Sequence, residues 1–304
     1  MSTKYDVIII GAGPGGLNAA LYTSRANLKV ALVEKGAPGG KMTATSKIEN
    51  WLGFDIIDGF DLALKAYNHA ISFGAEHVFG EVNKIEKSGE LFIVSLASGD
   101  QLTSKKVIIA TGMLNREPNF IENYQKYVNR GISYCATCDG PLYKGQNVLV
   151  LGGGNSAVEE SAYLARIASK VYLVVRDNHF IAEPRLVDDL KKLPNVEIFM
   201  EHQIKQLQGE NGIEKAQIID LKNNELKEVE VKAFFPFIGF IPNNSSFKHL
   251  NITDQAGFII TDDHMQTSIE GLYAIGDIRK KTVRQIVTAA SDGAIAAKHI
   301  ADTI

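Results

Sequence analysis

The sequence predicts an α/β fold, and three observations carry that reading. An apolar run, Val7-Ile8-Ile9-Ile10, passes straight into the glycine turn Gly11-Ala12-Gly13-Pro14-Gly15-Gly16. A second run, Val148-Leu149-Val150-Leu151, passes into Gly152-Gly153-Gly154-Asn155-Ser156-Ala157. Between the two turns stands the chain's only pair of cysteines, Cys135-Ala136-Thr137-Cys138. A helix that opens at such a turn aims unpaired backbone N–H groups and the positive end of its dipole at a pyrophosphate, and the glycines let the backbone come close to it. Two such turns describe two Rossmann-like dinucleotide-binding domains.

In chain order, Tyr5 to Ile10 reads as a strand, Gly15 to about Ala26 as a helix and Leu28 to Glu34 as a second strand, the opening of a parallel sheet. Glu34 lies 23 residues after Gly11, near the ~20 expected for the acid that accepts ribose hydroxyls, so the first unit suits an adenosine with a free 2′-hydroxyl. A helical stretch around Phe60 to Phe73 comes next. Glu81 to Lys87, Leu91 to Leu96 and Gln101 to Ile109 then alternate between apolar and polar residues, with Ser88-Gly89 and Ser98-Gly99 as turns, and predict an antiparallel meander that ends at Ala110-Thr111-Gly112. Pro118, after Asn115-Arg116-Glu117, and Pro242, within Ile241-Pro242-Asn243-Asn244-Ser245, read as linkers. The tail returns to a strand at Leu272 to Ile275, followed by Gly276-Asp277 and a helix from about Thr282 to Ala301. Val283, Ile286, Val287, Ala290, Ala294 and Ala297 fit one face of that helix. The second domain, residues 117–244, is thus inserted into the first, which is built from 1–116 and 245–304.

Counting the same 23 residues from Gly152 reaches Val175, and no acid stands there. Arg176 follows at once, and a guanidinium at that strand end suits a 2′-phosphate. Asp177 would repel one. These residues leave the choice between NADPH and NADH open.

Composition bounds the rest. A chain of 304 residues with 45% apolar content can bury two ordinary cores. The 32 basic and 35 acidic residues are interspersed, so neither nucleic acid nor a membrane surface is expected as a partner. No run approaches the ~18 to 20 apolar residues of a membrane span, and the chain enters a strand by Asp6, which leaves no room for a signal peptide, so a cytoplasmic location is expected.

Two cysteines spaced this closely in a reducing compartment are redox-active or bind metal. The two-residue gap lets the sulfurs bond within one turn of chain and then exchange with another disulfide. Zinc would need two further ligands, and the nearest downstream histidine, His179, is too far for a finger, so no metal site is expected. A Cys-His nucleophile and a pair of buried structural thiols stand as other readings.

Over essentially its whole length the sequence resembles low-molecular-weight thioredoxin reductase. The resemblance rests on Gly11 to Gly16, Ser24 to Leu28, Gly39-Gly40-Lys41, Glu49 to Gly53, Ala110 to Gly112, Cys135 to Gly140, Gly152 to Glu160, Gly276-Asp277 and Arg284-Gln285-Ile286. It implies FAD bound by Gly11, Gly13, Gly16, Glu34, Lys35, Gly40, Lys41, Asn50, Ala110, Thr111, Gly112, Gly276, Asp277, Arg284, Gln285 and Ile286. It implies NADPH or NADH bound by Gly152, Gly154, Asn155, Ser156, Ala157 and Arg176. Catalysis would fall to Cys135, Cys138 and Asp139. Cys138 would exchange electrons with the flavin, Cys135 would attack the disulfide of thioredoxin or a similar protein, and Asp139 would assist proton transfer. The family is dimeric, which implies a homodimer.

One departure concerns the 2′-phosphate. The family carries a His-Arg-Arg run and a further arginine, where this chain reads Val175, Arg176, Asp177 and Ile181. A donor other than NADPH, including ferredoxin, is the corresponding alternative. Two others are a ferredoxin- or flavodoxin-NADP reductase, which needs no cysteines, and a non-enzymatic redox sensor.

Overall fold

A computed structural model describes residues 5–45 and 48–304. Residues 1–4, part of the start from which the lack of a leader is read, lie outside the described residues, as do 46 and 47. The chain divides into two compact units, one of Met1–Leu114 with Ile241–Ile304 and one of Asn115–Phe240.

The first unit is built on a seven-stranded sheet. Tyr5–Ile10 runs parallel to Val30–Glu34 on one side and to Gln101–Ile109 on the other, with Val7 opposite Val30 and Ile8 opposite Val107. Glu76–Phe79 and Leu272–Ala274 extend the parallel part. Val7, Ile8 and Ile9 are fully buried, as expected for a strand covered on both faces. The meander appears as Val82–Ser88, Leu91–Leu96 and Gln101–Ile109, all antiparallel.

The C-terminal helix departs from expectation. It runs Ile286–Thr303 rather than starting near Thr282, because Gln285 is extended and forms a reciprocal capping box with Thr288. The cap leaves Val283 outside the helix; of the predicted face Ala297 is buried and Ile286 packs on the core, but Val287 is exposed and the inward face is centred on Ala289, Gly293, Ala296 and Ile300. That inward face meets the first helix, Pro14–Arg25, backbone to backbone. A Cβ on Gly293 would stand 2.4 Å from the Gly15 carbonyl oxygen. Glycine is needed there for the close approach.

The second unit has a four-stranded parallel sheet ordered Val196–Met200, Lys170–Val175, Asn147–Leu151, Ala233–Pro236. A three-stranded antiparallel sheet, His202–Gln208, Lys215–Asp220 and Leu226–Glu230, accompanies it. A mixed sheet with a parallel core in the first unit and a parallel sheet in the second, each with a glycine turn after one of its parallel strands, are the two Rossmann-like domains that the sequence predicts. Among the described residues no helix is long and apolar enough to cross a membrane.

Candidate active site

In the first unit the turn after Ile10 is tightly interlocked. Gly11 has φ +104°, and a Cβ there would lie 2.5 Å from the Ala110 carbonyl oxygen. A Cβ on Gly16 would lie 1.9 Å from the Gly11 oxygen. Gly13 differs: it caps the first helix with no side-chain bond, and nothing stands within 4 Å of where its Cβ would be. The backbone donors of the first turn therefore border open space at Gly13.

Glu34 is fixed beside this turn, its Oε2 accepting the Ala12 N–H at 2.9 Å and its Oε1 the Gly36 N–H at 2.9 Å. A carboxylate has about four lone-pair sites, so both oxygens keep capacity for ribose hydroxyls. Lys35 instead pairs with Glu81 at 2.8 Å on the exposed side.

The other residues assigned to FAD come from distant parts of the same unit. The Gly39 N–H donates to the Ala12 carbonyl at 2.7 Å, and a Cβ on Gly40 would meet Gly13 Cα at 3.1 Å. Lys41 Nζ lies 3.8 Å from Asp277 Oδ2. Burial holds the Lys41 ammonium below its usual pKa, and Asp277 opposes that shift. Asn50 Nδ2 donates to Gln285 Oε1 at 3.0 Å. Arg284 Nε donates to the Asp277 carbonyl at 3.5 Å, and its guanidinium lies 4.3 Å from the centroid of the Phe258 ring. Thr111 Oγ1 donates to the Asn243 carbonyl, next to Gly112 at φ +63° and Ala110. Gly276 takes φ +74°, and Ile286 is the first residue of the terminal helix.

Sequence reasoning missed Asp292 on that helix, which is 6% exposed and bonded to the Gly276 N–H, Arg279 and Lys281. An acid on the inward face of a helix rich in alanine and glycine was the available signal, since such a group is seldom buried unless paired.

In the second unit Gly152 has φ +143°, and a Cβ there would be 2.2 Å from the Phe237 oxygen and 3.0 Å from Ala157 Cβ. Gly154 caps the helix Asn155–Leu164, again without a side-chain bond. Ser156, in the first turn of that helix, is exposed. Asn155 Oδ1 accepts the Glu183 N–H at 2.8 Å, and the Gly153 carbonyl accepts from Ile181 and Ala182 at 2.9 and 3.2 Å. The loop after Arg176 is thus fastened onto the glycine turn. It lays the Ile181 side chain 3.8 Å from the Gly154 Cβ position. Arg176 Nε lies 3.6 Å from Asp177 Oδ1, with the two side chains 74% and 51% exposed.

The two sulfurs, Cys135 and Cys138, are joined as a disulfide of 2.13 Å across the short helix Ala136–Asp139. Joined in this way they are a redox couple rather than metal ligands. The Cys138 N–H points at Cys135 Sγ at 3.1 Å, and Ser133 Oγ accepts the Cys135 N–H at 3.0 Å. Cys138 is exposed, while Cys135 and Asp139 are half-buried. Burial, and then the charge of Asp139, push the Tyr143 phenol pKa up. Among the described residues, Thr137 Oγ1 and Glu160 Oε2 are buried without a hydrogen-bond partner. Burial, with Glu159 adding to it, pushes the Glu160 carboxyl pKa up to about 7.

The comparisons agree with this chemistry. The family model for pyridine nucleotide-disulphide oxidoreductases matches residues 5–293. The chain is 48% identical over 301 residues to the thioredoxin reductase of Mycoplasmopsis pulmonis, covering 99% of this chain and 97% of that one. It is 42% identical over 301 residues to that of Mycoplasma genitalium, covering 99% and 95%. It is also similar to the crystal structure of Lactococcus lactis thioredoxin reductase, with a TM-score of 0.93 and 38% identity over 98% of each chain.

Proposed function

The chain belongs to the pyridine nucleotide-disulphide oxidoreductase family, and we infer from that premise how its residues divide the work. Its activity is that of an FAD-dependent thioredoxin-disulfide reductase, with a nicotinamide as electron source and thioredoxin as the protein substrate. The observation that carries this is the Cys135–Cys138 disulfide in a chain with two glycine cradles.

The first cradle fits FAD. The open space at Gly13 is where a Cβ would stand against a pyrophosphate, and Glu34 keeps acceptor capacity for the adenosine ribose. We assign Gly11, Gly13, Gly16, Glu34, Gly40, Lys41, Asn50, Gly276, Asp277, Arg284 and Gln285 to its binding, with Ala110 to Gly112 and Ile286 completing the walls. When bound, FAD supplies the two-electron link between nicotinamide and sulfur. Lys35, paired with Glu81, contributes least.

Once the pair is reduced, the Cys135 thiolate attacks one sulfur of the thioredoxin disulfide, and a mixed disulfide forms as a thiolate leaves. Cys138 then attacks Cys135, which restores the Cys135–Cys138 bond and releases dithiol thioredoxin. Asp139, one residue from Cys138, is the group we assign to the proton transfer that accompanies thiolate departure. Two electrons pass and the reductase returns to its oxidised form.

Gly152, Gly154, Asn155, Ser156 and Ala157 form the nicotinamide dinucleotide cradle, with Arg176 at its ribose end. Asp177 beside Arg176 and Ile181 over Gly154 favour a second reading for the donor, in which NADPH has little advantage over NADH. We also propose a homodimer, supported by the exposed Leu52, Phe54, Ile56, Phe60 and Leu64 on one short segment of the first unit. A cytoplasmic location suits a catalyst whose working dithiol must stay reducible.

Anaerobic mixing with NADPH or NADH, followed by thioredoxin, tests the function. Bleaching of the flavin band followed by thiol release on thioredoxin is the expected result. A flavin that is reduced but passes nothing to any disulfide protein would leave the redox-sensor alternative in its place.

A further inference from the structure

We propose that Asp292 is a positioning residue for the flavin, a buried hub around which the loop Gly276 to Lys281 is wound. The inference rests on the assignment of FAD to the first unit and of Asp277 to its seat.

The loop contributes three donors to one carboxylate. Asp292 Oδ2 accepts the Gly276 N–H at 2.9 Å and Lys281 Nζ at 2.9 Å, and Oδ1 accepts Arg279 Nη1 at 2.9 Å. All three side chains are largely removed from solvent, with Asp292 8%, Lys281 11% and Arg279 15% exposed. The hub therefore ties both ends of the loop to the second turn of the terminal helix. Between those ends sits Asp277, whose carboxylate lies 3.8 Å from Lys41 and whose carbonyl accepts from Arg284.

Charge explains why a carboxylate is needed. Two buried cations share one anion, so the cluster is stable only while that anion is present, and removing one partner of a buried pair leaves the other uncompensated. Arg279 is held further by Thr261 Oγ1 at 3.1 Å and Lys281 by Thr288 Oγ1 at 3.4 Å. Thr288 is also the residue that caps the helix together with Gln285. Helix start, loop and hub are one hydrogen-bonded unit, and Asp277, Arg284 and Gln285 are all fastened to it.

The test compares three variants of the full-length holoenzyme with wild type. Asp292→Asn keeps the shape of the hub and removes its charge. Arg279→Lys keeps the charge and removes the forked donor. Val94→Ala shortens a fully buried meander side chain in the same hydrophobic cluster as Ile278, so it loosens the packing of the unit without removing a hydrogen bond of the hub. The readouts are the rate of FAD release by fluorescence recovery, the visible band of the FAD still bound, and the melting temperature. Asp292→Asn is expected to release FAD about tenfold faster, the size of one lost hydrogen bond, and to shift the band. Arg279→Lys should release it severalfold faster. Val94→Ala should melt lower but release FAD at the wild-type rate.

Should Asp292→Asn fail to fold, Arg279→Lys decides alone. Wild-type release and an unchanged band in whichever of the two folds would overturn the hub. Equally fast release from Val94→Ala would also overturn it, because general loosening would then explain the effect. A wild-type protein that neither purifies with FAD nor takes it up would overturn the flavin assignment and the hub with it, whereas a wild-type holoenzyme with unaffected variants overturns the hub alone.

Discussion

Replacing Asp177 and Ile181 by arginine should shift the choice between nicotinamides strongly toward NADPH. The structure sets the size of the effect. Arg176 is held by Asp177 at 3.6 Å, but both side chains are mostly exposed, and an exposed pair of this kind is worth roughly 0 to 1 kcal/mol, too little to keep the guanidinium from a phosphate. The larger cost is direct repulsion. A carboxylate about 5 Å from a dianionic 2′-phosphate costs roughly 1 to 2 kcal/mol in a water-like dielectric, so Asp177→Asn alone should raise the NADPH-to-NADH ratio about tenfold. Each added arginine that makes a charge-assisted bond contributes roughly 1.5 to 3 kcal/mol. Ile181 is 76% exposed and lies beside Gly154, so an arginine there meets no steric barrier. The double variant should therefore gain about a thousandfold or more. Stopped-flow flavin reduction under nitrogen, with rates measured against concentration for both nucleotides, provides the ratio. A wild-type protein that already prefers NADPH a thousandfold refutes the reasoning, since other residues must then hold the phosphate; failure of both nucleotides in both proteins points to ferredoxin or another donor.

Other perturbations have equally definite outcomes. Cys138→Ser and Cys135→Ser should each abolish thioredoxin reduction while the protein still purifies yellow, because exchange needs both sulfurs and neither lies in the flavin cradle; turnover near the wild-type rate in either would remove the relay. Gly13→Ala should fold, since its Cβ meets nothing within 4 Å, and should weaken FAD binding by filling the pyrophosphate approach, as read from the ratio of flavin to protein absorbance. Gly16→Ala should instead fail to assemble the unit, its Cβ falling 1.9 Å from the Gly11 oxygen. The Glu160 carboxyl, pushed up from 4.5 to about 7, keeps a proton in the folded chain that the unfolded chain has released, so its contribution is full below the unfolded pKa and is lost as pH rises through the folded one, by roughly 3 kcal/mol. Glu160→Gln should flatten that slope, as judged from urea midpoints at about pH 5 and about pH 8.

The two glycine turns and the cysteine pair were legible because their signals are local. A strand, a glycine turn and a helix occupy about twenty consecutive residues and the Cys135–Cys138 pair only four, so spacing marks both as candidates, while the choice of redox exchange for the cysteines came from the family resemblance. The start of the terminal helix was less legible. Val283 has the right period and chemistry for a helical face, but Gln285 and Thr288 cap one another and exclude it from the helix. The choice of inward face depends on what the helix packs against, here the glycines of the first helix, some 270 residues away in the chain. Asp292 escaped for the same reason: nothing in its neighbourhood announces that Gly276, Arg279 and Lys281 turn back to meet it. Lys35 follows Glu34 in the chain, yet its side chain turns to Glu81, a pairing across 46 residues that spacing does not announce.

The contact between Gly15 and Gly293 has a consequence for synthesis on the ribosome. The inserted unit, Asn115–Phe240, is contiguous, so all of its strands are available once residue 240 has emerged. The enclosing unit cannot complete itself so early. Its first helix must wait for Gly293, and the loop at Asp277 for Asp292, before either reaches its final packing. The later domain in the sequence is therefore the earlier one to mature. The flavin seat can therefore be sealed only once residue 293 has emerged, and a nascent chain stalled after the inserted unit would carry a finished second cradle and an unsealed first one.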